Sequence, residues 1–115
     1  MFMSEDDVVL LAHRRMFQTD EPRYFLGQVM SSEGPLLKVG GYTFVRDVTS
    51  GAMVKKDERR TKVVSLASSG YIVYQLPQDV DVDRAYVRSC EGDTVLVDGE
   101  RELMNLSEHT HCGHF

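Results

Sequence analysis

Apolar residues come in short runs, and Gly, Pro, Asp or Ser interrupt them every few positions. That spacing predicts strands joined by turns. The first run, Val8 to Phe17, reads two ways. Ser4 followed by Asp7 resembles a weak capping box, and Arg14-Arg15 would suit a helix C-terminus. The β-branched pair Val8-Val9 and the turn-like Gln18-Thr19-Asp20-Glu21-Pro22 favour a strand, which the next run can meet as a hairpin.

That next run is Arg23 to Ser31, with Phe25 and Val29 on one face and Gly27 as the expected bend or bulge. Glu33-Gly34-Pro35 turns the chain. Leu36 to Val48 is long for one strand, and Gly40-Gly41 is where it is expected to bend. Beyond that point Tyr42 and Phe44 share a face. Thr49-Ser50-Gly51 is a turn, Ala52 to Lys55 a short return strand, and the charged stretch Lys56 to Arg60 a loop tip. Lys62 to Ala67 and Tyr71 to Leu76 are further strands around Ser68-Ser69-Gly70. A meander follows: Val82 to Cys90, Thr94 to Val97 and Glu102 to Leu106, with a tight hairpin turn at Asp98-Gly99.

Turns this frequent predict an all-β domain, a barrel or a sandwich, that ends in a C-terminal β-meander. At 115 residues the chain has material for one core. Residues 1–115 are read as a single domain, with 1–7 and 107–115 as tails.

Residues 23–77 resemble the Sm-like family of small barrels. FLGQV, SSEGP and LLKVGGYTF occupy the first block of that pattern, and VVSLASSG with YIVYQLP the second. The resemblance implies a small, strongly bent barrel of Sm-like or SH3-like form, here with an added C-terminal β-meander, and in that family the barrel assembles into a ring and binds RNA at its inner loops. The family's acidic residue and asparagine between the first two strands are absent, since SSEG stands there. Ser69-Gly70 replaces its Arg-Gly pair, so the RNA-contact positions do not carry over.

Charge changes the picture of partners. The formal net charge is −5, but residues 8–62 carry +4 and residues 79–115 carry −6. A chain with one basic and one acidic half is expected to self-associate or to dock onto another protein. The basic cluster Lys55, Lys56, Arg59, Arg60 and Lys62 is the candidate contact for nucleic acid or for an acidic partner. The pI near 5.3 and the lack of an aromatic residue within the cluster weigh against nucleic acid. Asp79, Asp81 and Asp83 alternate in QDVDVD. They are read as an acidic strand edge rather than a calcium loop, because the loop's glycine and distal glutamate are missing.

Three of the four histidines lie in the C-terminal HTHCGHF. His109, His111, Cys112 and His114 are the candidate metal ligands, with donors suited to zinc. All four fall within six residues, with no second ligand pair from elsewhere in the chain. Any metal capacity is therefore expected to be incidental to folding.

No nucleophile elbow or phosphate-cradling glycine loop is present, so the chain is read as a binding module rather than an enzyme. The acidic N-terminus, the absence of a long apolar run and two widely spaced cysteines, Cys90 and Cys112, lead to the expectation of a cytoplasmic protein with free thiols and no membrane span. The leading functional expectation is thus self-association or protein docking. The alternatives are Sm-like nucleic-acid binding and metal binding through the tail.

Overall fold

Short apolar runs bounded by turn residues become nine strands among the described residues. The computed structural model describes residues 4–13, 23–47, 49–67, 70–90, 93–99 and 101–106. The strands are β1 (Val8–His13), β2 (Arg23–Glu33), β3 (Leu36–Arg46), β4 (Met53–Lys55), β5 (Arg60–Ser65), β6 (Tyr71–Leu76), β7 (Ala85–Cys90), β8 (Asp93–Asp98) and β9 (Arg101–Asn105). No helix occurs among the described residues, and none there is long and apolar enough to cross a membrane. The protein is all-β, with two antiparallel sheets.

The larger sheet has the order β4-β3-β2-β1-β6, and β5 pairs with β3 as well. The first run is therefore a strand as far as His13, antiparallel to β2 with Leu10 opposite Leu26, while residues 14–17 of that run and the turn expected at 18–22 lie outside the described residues. The long third run is one strand with two successive partners. Residues 36–41 pair with β5, and residues 44–46 pair with β4. The partner changes just beyond Gly40-Gly41, where the bend was expected.

The bulge in β2 lies at Met30, where the register shifts between Val29 and Ser31, and not at Gly27. Gly27 pairs regularly with Gly41, and a different constraint holds both glycines. A Cβ on Gly41 would stand 1.9 Å from the Leu26 carbonyl oxygen, and one on Gly27 would stand 2.5 Å from that of Gly40. Two strands that close have no room for side chains between them.

Period-2 alternation gives the sheet an inner and an outer face. Val9, Leu11, Phe25, Val29, Leu37, Val39 and Val64 form the inner cluster, joined by Tyr71 and Val73. Strands from both ends of the sheet, β5 and β6, share that cluster, so the sheet is curled around it. Among the described residues β5 and β6 are not hydrogen-bonded to each other.

The outer face carries Val8, Leu10, Ala12, Tyr24, Leu26 and Phe44. It packs against Val80, Val82, Ala85, Leu96 and Leu106 of the C-terminal region. The smaller sheet, in the order β7-β8-β9, is thus a lid on the outside of the curl. β1 lies between the two cores, and Val8, Val9, Leu10 and Leu11 are each fully buried. The Tyr24 hydroxyl donates to the Leu106 carbonyl at 3.3 Å and ties the end of the meander to β2.

Candidate functional site

The two charge runs of the sequence meet. Lys55 stands opposite Phe44 on the outer face, directed at the segment that leads into β7. Its Nζ donates to the carbonyls of Val82 (3.3 Å), Asp83 (2.8 Å) and Ala85 (2.7 Å) and lies 4.3 Å from the centre of the Tyr42 ring. Burial pulls the Lys55 ammonium below its ordinary pKa, while Asp83 and Asp81 act in the opposite sense. Arg59 donates to Asp83 Oδ1 at 3.1 Å and to the Gly40 carbonyl at 3.4 Å. The Tyr42 hydroxyl donates to the same Asp83 oxygen at 2.7 Å. These contacts hold the smaller sheet's leading segment to the curled sheet.

Asp79, Asp81 and Asp83 do not form a strand edge, because β7 begins only at Ala85. They are exposed between two buried valines, Val80 and Val82, which anchor the segment in the outer core. Asp79 accepts from Arg101 at 3.1 and 3.2 Å. Asp81 accepts from the Asp83 amide at 3.0 Å, and Asp98 accepts from the Asp81 amide at 3.0 Å. The acidic run is thus engaged by arginines and backbone amides of its own chain.

The other members of the basic cluster separate. Arg60 pairs with Glu58 at 3.0 Å in the open. Lys56 contributes to lowering the pKa of Asp47, though less than the Ser50 and Thr49 hydrogen bonds do. Lys62 turns to the inner face, with Nζ 5.0 Å from the centre of the Phe25 ring. The five cations therefore do not form one surface. His109, His111, Cys112 and His114 lie outside the described residues, as does the turn at Ser68-Ser69. Among the described residues no group of three His, Cys, Asp or Glu side chains could hold a metal ion.

A surface that the sequence reading did not single out lies at the far end of the outer face. The C-terminal sheet covers Tyr42 and Phe44 of β3 but not the even positions nearer the start of that strand. There Leu36 is 45% exposed, and Met30 of the bulge and Val63 of β5 are 47% and 63% exposed. Val63 pairs with Lys38, which pairs with Ser31, so these residues share one face. A hollow of about 200 Å³ lies among Ser31, Ser32, Glu33, Leu36, Lys38 and Val63. Its sequence signal is the doublets Leu36-Leu37 and Val63-Val64. In a strand, adjacent apolar residues must face opposite ways, so one of each pair is left outside.

Comparison of the chain with protein-family models, with curated proteins and with solved structures finds no match.

Proposed function

We propose that this protein is a non-enzymatic β-module, a small barrel open along the seam between β5 and β6, that pairs with a second copy of itself. The observation that carries the reading is the uncovered apolar end of the outer face, Met30, Leu36 and Val63. A contiguous apolar patch on a sheet face is a marker of association.

The occupant is a second copy because the patch is self-complementary in charge. Glu33 and Lys38 flank it on the same face, and among the described residues neither forms an ion pair. A two-fold axis through the patch would set Glu33 of each copy against Lys38 of the other. Strand addition at the β5 edge is disfavoured, because Lys62 on that strand points inward, a known device against edge pairing. The charge gradient is a weaker cause of association than the sequence implies, since Arg59 and Lys55 are engaged within the chain. For the same reason the nucleic-acid alternative draws little support from residues 55–62.

Sedimentation velocity over a concentration series tests the reading. The expected result is a species of twice 13.1 kDa that persists at high salt, as an apolar contact should. The double variant Leu36→Lys/Val63→Lys should sediment as a monomer that still melts cooperatively, because both side chains face solvent in the single chain. A wild-type monomer at the highest soluble concentration, or a variant that still dimerises, would refute it.

A further inference from the structure

The inner face carries a second gathering of charge. His13 ends β1, Arg23 begins β2 at the next position of their shared register, and Lys62 comes from β5. All three occupy inner-face positions in the alternation that buries Leu11, Phe25 and Val64. The His13 ring packs on Tyr71 with centroids 4.6 Å apart, and its Nε2 is enclosed without a hydrogen-bond partner. Lys62 lies over Phe25. Among the described residues no hydrogen bond or ion pair engages the side chain of any of the three.

We propose that His13, Arg23 and Lys62 form a binding site for a phosphate-like oxyanion at the end of the curled sheet. Two cations and an imidazole, drawn from three strands and walled by Phe25 and Tyr71, suit an acceptor-only, multiply charged ligand. Without such a ligand the arrangement is unfavourable. Burial, then Lys62, then Arg23 push the His13 imidazole below its ordinary pKa, and burial followed by Arg23 does the same to the Lys62 ammonium. An anion among them would oppose each of these shifts, because it favours the charged form of both groups. A side chain that costs the free protein stability and is compensated by a ligand is the expected mark of a binding residue.

The test follows the His13 imidazole resonances by NMR during titration with inorganic phosphate and then pyrophosphate. Ionic strength is held constant with sodium chloride. The expected result is a saturable shift, stronger for pyrophosphate, with the imidazole pKa rising in the bound state. Lys62→Met keeps the apolar stem over Phe25 and should weaken binding roughly tenfold or more, the loss expected for a hydrogen bond to a charged group. Arg23→Gln should weaken it as well. The melting temperature of Lys62→Met without ligand should equal or exceed that of the wild type. An unsaturable response, equal affinity in the variants, or a lower melting temperature for Lys62→Met would each overturn the proposal.

Discussion

Asp7 is the one buried polar or charged residue among the described residues, 4% exposed. Its carboxylate accepts from the Ser4 amide at 2.8 Å, from Gln75 Nε2 at 3.2 Å and from Gln78 Nε2 at 2.6 Å. The Ser4 hydrogen bond, and after it Gln78, hold its pKa below the ordinary 3.8, against the opposing effect of burial. A carboxylate depressed in the folded state contributes stability above its unfolded pKa. That contribution is lost as pH falls through the folded value. Thermal melts from neutral pH downward should therefore lose stability below about pH 4, and Asp7→Asn should make that limb shallower. The limb will not vanish, because Asp47 and Asp98 are lowered too, chiefly by the Ser50 side chain and the Asp81 amide. An identical acid limb in Asp7→Asn would show that this carboxylate is not linked to folding. Lys55 supports a second prediction at this scale. Lys55→Met leaves three carbonyls without their donor and should cost about 2 kcal/mol, read as a lowered denaturant midpoint with an unchanged slope. A change within experimental error would mean that water replaces the ammonium freely.

Among the elements, β2 and β3 place the tightest demand on sequence. Their Gly27–Gly41 pair lies on the inner face, where a Cβ on Gly41 would strike backbone alone and one on Gly27 both backbone and the Val39 side chain. Gly41→Ala should cost several kcal/mol, about 3 or more by comparison with strained core insertions. Gly51→Ala has open space around it but a positive φ of 74°, and should cost only about 1 kcal/mol. Chemical denaturation of the two variants checks the order, and equal costs would show that the β2–β3 approach can relax. Most strands were legible because their runs alternate or end at turn residues. Tyr71–Leu76 follows from YIVYQL closed by Pro77, and the β8–β9 turn from Asp98-Gly99. The Met30 bulge was not legible. Nothing in RYFLGQVMSSE distinguishes an extra residue at Met30 from one at Gly27 until the partner strand sets the register.

For the molecule as a whole, the question is what closes the outer core. Leu106 is 1% exposed, its amide donates to the Thr94 carbonyl at 2.8 Å, and its own carbonyl receives Tyr24. Among the described residues the apolar outer core thus ends at Leu106. A chain ending at Ser107 should melt with the full-length protein, and EDTA should change neither curve. A structural metal would instead couple its loss to unfolding. A large drop in both the truncated and the chelated samples would make His109, His111, Cys112 and His114 part of the fold.

The sequence by itself determined the class of the protein. The strands, the turns and the C-terminal meander follow from period-2 patterning and from residues with few allowed backbone angles, and both are local properties. Which face each strand presents was open wherever apolar residues are doubled, as in Val8–Leu11, Leu36-Leu37 and Val63-Val64. A strand buried on both sides, and one with a bare outer face, can carry the same doublet. The union of Lys55 and Arg59 with the QDVDVD segment, the inward turn of Lys62 and its convergence with His13 and Arg23 were decided only by tertiary structure. These contacts join residues tens of positions apart through sheet curvature and register, which no local window of the chain encodes.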